Sequence, residues 1–414
     1  MRNQMTDRPR VLLLAGYFDW FSGYQEIALA RWFPRHATTE VIAGDRVSRI
    51  FSDDHLAQLG VPRRYEPGTR HENGVKVTRF STSEMRSMVW SAQTRRYIES
   101  QQYDLIVQLM PGTVMPFGGT LARNDTVRAA LYVDNSAMWS HLSTTHRILK
   151  GAAFAVSKGV LYTLINRRAD LVYAFTPNTV SRLRLFAGGK KMSLRPLTFD
   201  PKTFYFDEGI RDAHRRRLGY ATSDTVLVAA GKFQRQKRFD LLLEVFSSLA
   251  SRHAGLKLLL VGADDGACSR ELRAQIDADP ALSKSVTLSG FVDTAELNAV
   301  FNAADIGVWP AMPAITIQQA MGTGLTVVLP QNNWVGHLIR DGSGCYFDGS
   351  DERASTHLHE ALEGQLPVDS GTSARKKRAA VNSWLGADEL VKSLLRDAGL
   401  DQWRNGGGSD CESS

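Results

Sequence analysis

Two lysines, Lys232 and Lys237, follow the apolar run VLVAA in the stretch GKFQRQKRF. Standing at the end of a strand and in the loop after it, both could reach one phosphate or diphosphate. Cations fixed there would stabilise the charge that builds up as such a group departs. Lysine supplies the charge without the bidentate fork of arginine. Arg235 lies between them as a further candidate cation. A solvated basic turn accounts for the same spacing equally well. A second stretch, WPAMPAITIQQAMGTG (309–324), carries a proline-bearing loop and ends in a glycine-punctuated turn. It sets two neutral glutamines, Gln318 and Gln319, where a sugar-binding site would use a carboxylate. Asp277 and Asp279 form an Asp-x-Asp pattern, but they precede proline in a polar connection and read as a surface turn, so no metal site is expected. The three cysteines, Cys268, Cys345 and Cys411, are widely spaced with no CxxC pair. That argues against a disulfide framework or a zinc site and fits a reducing, cytoplasmic setting.

The elements that must position these residues alternate along the chain. At 414 residues the protein is long for a single core, so two domains are expected. The first half holds the β-like runs RVLLLAG (10–16), TTEVIAG (38–44), VKVTRF (75–80), DLIVQL (104–109), VRAALYV (127–133) and ADLVYAF (169–175). The second holds DTVLVAAG (224–231), LKLLLVG (256–262), SVTLSG (285–290), ADIGVWP (304–310), LTVVLP (325–330) and CYF (345–347). Helical patterns such as RFDLLLEVFSSLASRH (238–253) lie between them. This alternation predicts an α/β fold of two Rossmann-like domains facing across a cleft, with ligands at the carboxyl ends of parallel strands. The division is placed near RPLTFDPKTFYFDEG (195–209), giving a first domain over 1–200 and a second over 201–383. The last residues, RNGGGSDCESS (404–414), read as a disordered tail. The N-terminal run VLLLAG is too short for a signal-peptide core, and no other run approaches membrane-spanning length, so the chain is not expected to cross a bilayer.

Charge is unevenly distributed. Residues 1–200 hold 27 lysines and arginines against 16 acids, while the remainder is slightly acidic. The first half therefore suits an anionic partner: nucleic acid, anionic lipid or a phosphorylated substrate. No motif supports nucleic acid, and none is expected to bind. The segment THRILKGAAFAVSKGVLYTLINRRAD (145–170) mixes apolar residues with Arg147, Lys150, Lys158, Arg167 and Arg168. It reads either as a basic amphipathic helix resting on an anionic membrane surface or as a core-facing helix with a basic outer side.

The second half resembles the nucleotide-sugar-binding domain of the family-4 glycosyltransferases, retaining enzymes of GT-B architecture. VLVAAGKFQRQKRFDLLLEVF resembles that family's strand, Gly-Arg-Leu loop, Lys-Gly and helix, with Lys232 at the arginine position and Lys237 at the lysine position. LKLLLVG, VTLSGFVDTAELNAVFNAADIGVWP, QAMGTGLTVVLP and HLIRDGSGCYF resemble the segments that follow, in order. VNSWLGADELVKSLL (381–395) resembles the family's final helix, which crosses back to the first domain, so residues 384–403 are expected to pack there. LLLAGYFDWFSGYQE resembles the opening strand and glycine loop, with Gly23 at the second glycine position.

The resemblance implies transfer of a sugar from a nucleotide-diphosphate donor to a hydroxyl of a glycan, a lipid-linked acceptor or a small molecule. No cofactor and no metal are implied. Lys232 and Lys237 would neutralise the departing diphosphate, and Gly23 would let backbone approach it at a helix N-terminus. Asp134, in LYVDNSAMW, stands where the family often has a histidine near the donor sugar; it would accept a sugar hydrogen bond or simply cap a turn. Gly231, Gly290, Phe291 and Val292 fall on donor-binding positions of the pattern. The family's Glu-x7-Glu motif is altered: Gln319 stands at the second acid, and the loop after Pro310 is shortened, bringing Ala311 near the first. Glutamine can still accept a ribose hydrogen bond, more weakly than a carboxylate, and Thr316 with the free amides beginning that helix could hold phosphate. Nucleotide binding is thus expected to survive while sugar recognition is rebuilt. The alternative is a non-catalytic GT-B protein that binds nucleotide or glycan as a partner subunit.

Overall fold

The computed structural model describes residues 8–85, 88–133, 143–340 and 342–401. Asp134 and the tail 404–414 lie outside the described residues. The chain builds two large sheets, one after the other. The first contains β1 (Arg10–Leu14), β2 (Thr38–Gly44), β3 (Gly68–Glu72), β4 (Val75–Phe80), β7 (Leu105–Leu109), β8 (Val127–Tyr132), β9 (Leu171–Ala174) and β10 (Met192–Leu194), in the order β10-β9-β8-β7-β1-β2-β4-β3. Every pairing is parallel except β3 with β4. A separate hairpin joins β5 (Ser83–Met85) to β6 (Met88–Trp90). The second sheet contains β11 (Thr225–Ala230), β12 (Leu256–Val261), β13 (Val286–Ser289), β14 (Ile306–Val308), β15 (Thr326–Pro330) and β16 (Gly344–Phe347). Its order is β13-β12-β11-β14-β15-β16, parallel throughout, and the strand order reverses between β11 and β14. In such a sheet the crevice beyond those two strand ends is where a ligand has room to bind.

Beyond their first residues, Arg10 and Thr225, β1 and β11 are apolar because helices cover both faces. Val11 to Leu14 and Val226 to Val228 are fully buried, their side chains alternating between two core clusters in each sheet. All twelve sequence-predicted runs contain strands of these sheets. The remaining strands escape a reading based on apolar runs for simple reasons. GTRHE in β3 is polar and largely exposed, and MSL in β10 is three residues long.

The chain passes between the two sheets at a seam where two segments run side by side. Phe199 N–H donates to Leu385 O at 3.0 Å, and Ala387 N–H donates to Phe199 O at 2.9 Å. Beyond the seam, the helix Ala387–Asp397 packs Leu390, Val391, Leu394 and Leu395 into the core of the first sheet. Tyr173 donates to Asp397 at 2.6 Å, and His36 lies 2.8 Å from Asp388. Gln25 clasps Thr198 through two hydrogen bonds of 2.8 Å, so the linker is tied to the first domain before it leaves.

One expectation is corrected. The helix running from Thr144 to Arg168, with a π turn at Ala155–Gly159, is long and apolar enough by length and composition to cross a membrane. Its first part, Thr144–Phe154, buries no residue at all, which excludes a core-facing role for that part. The basic residues interrupt the apolar run in sequence but fall beside it on the helix, which is why scanning for an unbroken run misses it.

Candidate active site

The crevice of the second sheet is shaped by two glycines whose backbones touch. A β-carbon on Gly262 (φ +108°) would stand 2.5 Å from the carbonyl oxygen of Gly231, itself at φ +146°. A side chain at Gly262 would therefore have to move the end of β11, while at Gly231 it is the positive φ that disfavours one. Gly231 N–H donates to Val261 O at 2.9 Å, holding the turn against β12. The chain then folds into a short helical turn, Arg235–Lys237, ahead of the helix Phe239–Ala250.

That turn buries Lys237. Its Nζ donates to Pro313 O at 2.8 Å, across the crevice, and burial depresses its pKa to about 8. A cation held in this way, without a carboxylate partner among the described residues, is poorly solvated and gains from an incoming anion. Lys232 behaves differently. It is exposed and makes no hydrogen bond or ion pair among the described residues, although it lies close enough to Asp264 to help lower that acid's pKa, after the hydrogen bond from Ser269. The two lysines therefore flank Gly231 with one side chain fixed and one able to swing. Arg235, the fallback candidate, is committed elsewhere: it is paired with both oxygens of Glu271 at 2.7 and 2.9 Å.

Across the crevice stands the helix Ile315–Gly322. Thr316, expected to hold phosphate, uses its hydroxyl to donate to Ala230 O at 2.8 Å, and Trp309 Nε1 donates to the same oxygen at 3.0 Å. The pair stitches the end of β11 to the segment after β14, which makes Thr316 a strut of the crevice wall. Nothing in the sequence pattern distinguishes a strut from a ligand group. Gln318 and Gln319 are both buried, and the amide oxygen of each lacks a hydrogen-bond partner. Ala311 contributes only its carbonyl, which accepts from Asn332 at 3.4 Å. Gly290 closes the crevice floor, its carbonyl accepting from Gly262 N–H at 3.1 Å. Phe291 projects beside it with 56% exposure, and Val292 packs against the core. Asp279 caps the helix Pro280–Ser285 through Ala281 N–H at 2.8 Å and accepts from Ser247 at 2.7 Å, as a turn residue does.

The first sheet supplies the facing wall. Gly23, at φ +65° in the loop after β1, lies where an added β-carbon would stand 3.6 Å from Thr294 Cγ2 on the second domain. The same loop and the helix that follows it, Gln25–Trp32, bury two carboxylates that sequence reasoning missed. Asp19 is 2% exposed and Glu26 4% exposed, and burial raises their pKa values to about 6 and about 7. Asp19 Oδ1 and Glu26 Oε2 have no hydrogen-bond partner. In sequence both acids sit among aromatic and polar residues like any surface acid, and only the fold hides them. The neighbouring loop after β7 is strained: Met110 and Val114 take φ of +46° and +71°. For a β-branched residue that conformation is costly. Lys158, from the π turn, brings its Nζ close to Gly112 in this loop. Asp134, placed by the sequence near the donor sugar, lies outside the described residues.

Residues 224–363 match the family Glycosyl transferases group 1. The chain is similar to mannosylfructose-phosphate synthase of Agrobacterium fabrum, 26% identical over 251 residues, covering 56% of this chain and 54% of the relative. It is also similar to D-inositol 3-phosphate glycosyltransferase of Acidothermus cellulolyticus, at 25% identity over 246 residues and the same coverage. The chain thus matches about half the length of these relatives. Among solved structures, sucrose-phosphate synthase from Thermosynechococcus elongatus superposes with a TM-score of 0.67 at 16% identity, covering 94% of this chain and 98% of that one. Anabaena HepE in complex with UDP and glucose superposes with a TM-score of 0.61 at 18% identity, covering 93% and 99%. The two sheets, the seam and the helix that returns to the first domain are those of the GT-B fold, and residues 224–363 form a glycosyl transferases group 1 domain.

Proposed function

We propose that the protein is a glycosyltransferase that moves a hexose-type sugar from a nucleotide diphosphate to a hydroxyl of a glycan, a lipid-linked acceptor or a small molecule. The observation that carries this reading is Lys237, a buried cation without a carboxylate partner among the described residues, aimed across the switch point of the second sheet. The departing diphosphate accumulates charge as the glycosidic bond to it breaks, and a cation already in place stabilises that charge without reorganising. Lys232 supplies the second charge from the exposed side. Gly231 and Gly262 leave room for phosphate against the backbone, and Phe291 offers an aromatic face for the base. Retention is taken from the resemblance to the retaining family-4 enzymes; as no carboxylate nucleophile is evident, the acceptor hydroxyl attacks on the face the phosphate leaves. The departing phosphate takes the hydroxyl proton. Side-chain cations take the part that a metal would play. A cytoplasmic setting, with peripheral contact between the basic half and the membrane, belongs to the same reading.

The test is a thermal-shift screen of nucleotide diphosphates and nucleotide sugars, beginning with UDP and UDP-glucose because HepE is seen with them. It is followed by turnover of the stabilising donor and by NMR of the product's anomeric configuration. Stabilisation by one nucleotide with turnover and retention is the expected result. One observation favours a second reading, a non-catalytic nucleotide-binding partner subunit: the family's acids are replaced by Gln319 and Ala311, and the Gln319 oxygen is buried without a partner. Nucleotide binding without turnover of any donor would favour that reading, and no stabilisation at all would defeat both.

A further inference from the structure

The helix Thr144–Arg168 and the segment beside it carry an apolar face that nothing among the described residues covers. Ile148, Val156, Val160 and Leu164 follow one another at intervals of four or eight and are 66%, 77%, 54% and 44% exposed. Leu149 adds 62%, and Leu185, on the neighbouring turn, is 87% exposed. The two segments lie together, since Phe186 packs on Phe154 at 5.8 Å between ring centroids. A stripe of large apolar side chains of this length is costly in water and marks a surface that is covered in use.

The charges around it say by what. Residues 143–191 contain nine lysines and arginines and a single acid, Asp170. Arg147, Lys150, Arg167, Arg184, Lys190 and Lys191 are all exposed around the apolar stripe. Such a combination fits the headgroup boundary of an anionic bilayer, where apolar side chains enter the acyl region and basic ones meet lipid phosphates. The helix is long enough to span a bilayer, but its inner side is fastened to the domain. Tyr162, Ile165 and Asn166 are buried, Asn166 donates to Phe186 O at 2.8 Å, and Arg168 donates to Thr120 O at 3.1 Å. It therefore lies in the plane of the surface.

We propose that residues 143–191 form a docking face for an anionic lipid bilayer. Lys158, on the inner side of the same helix, adjoins the turn after β7, so docking sets the mouth of the first-domain crevice beside the lipid headgroups. An acceptor would then be delivered from the membrane plane; this last step rests on the glycosyltransferase reading, whereas docking does not.

The experiment is co-sedimentation of the full chain with vesicles of phosphatidylcholine alone and of phosphatidylcholine containing about a third phosphatidylglycerol. Two variants accompany the wild type: Ile148→Ser with Val156→Ser and Val160→Ser, and Lys190→Ala with Lys191→Ala. All five side chains are exposed, so unchanged melting confirms that both variants fold. The wild type is expected to bind the anionic vesicles and not the neutral ones. The serine variant should lose at least about tenfold in partitioning, and the alanine variant about fivefold for each charge removed. Binding to neither vesicle, or variants that bind as wild type does, overturns the proposal. So does a wild-type dimer in sedimentation velocity that the serine variant splits, since a second copy would then own the face. Vesicle binding needs no nucleotide, so it stands or falls independently of donor turnover.

Discussion

At the switch point of the second sheet, strand ends touch through Gly231 and Gly262, a buried lysine reaches across to Pro313 O, and a second lysine stands free beside them. At the switch point of the first sheet, the corresponding loops and the helix Gln25–Trp32 bury two carboxylates, hold strained turns at Met110 and Val114, and present aromatic residues. The first arrangement attracts negative charge. The second withholds water from its acids and raises their pKa values to about 6 and about 7, so they take up their charge only as pH approaches neutrality. Two domains with the same layered plan thus carry different groups at their switch points, a buried cation in one and buried acids in the other. Similar folds do not impose similar chemistry; the few side chains at the strand ends do.

The largest break in this comparison comes from Lys237→Met, which keeps the apolar stem and removes the charge. Turnover is expected to fall about a hundredfold or more, while the melting temperature holds or rises, because a poorly solvated charge is gone. A variant that unfolds instead would make Lys237 a structural residue. In the wild type, the lysine loses its proton as pH rises through about 8, so affinity for nucleotide diphosphate should weaken above that pH.

Next in size is the opposite wall. The pKa of Glu26 is raised to about 7 in the folded protein. Between roughly pH 4 and 7 the folded state keeps a proton that the unfolded chain releases, so stability declines as pH rises through that window. Glu26→Gln should remove the decline and raise stability at pH 8 by up to about 3 kcal/mol, with no gain at pH 4. Denaturant unfolding at the two pH values checks it. A variant equally destabilised at both would show that the carboxylate, not its burial, is needed.

Lys232→Ala should cost about tenfold in nucleotide affinity, a loss that shrinks with added salt because the side chain is exposed. Lys232→Arg should restore binding, which separates charge from shape. The smallest effect is expected from Arg235→Ala. Its pair with Glu271 is solvent-exposed, so stability should move by less than about 0.5 kcal/mol and nucleotide affinity hardly at all.

Strands and the crevice glycines were legible in the sequence because parallel strands buried on both faces leave unbroken apolar runs, and glycine at their ends has few substitutes. Lys237 was legible as a cation but not as a buried one, since burial arises from the loop at Pro313, seventy-six positions along the chain. The bracing role of Thr316 was not legible, because a hydroxyl that braces a carbonyl and one that binds phosphate look alike before folding. Asp19 and Glu26 were invisible for the same reason: what makes an acid unusual is its surroundings. The helix Thr144–Arg168 gave an ambiguous pattern, and only its lack of neighbours decided which side faced outward.

The helix Ala387–Asp397 completes the core of a domain whose strands begin at Arg10. During synthesis the first domain emerges early but must wait for almost all of the chain before Leu390, Val391, Leu394 and Leu395 can fill its apolar groove. Until then that groove is open to solvent, and the nascent protein is exposed to chaperone capture or to association with its neighbours on the polysome.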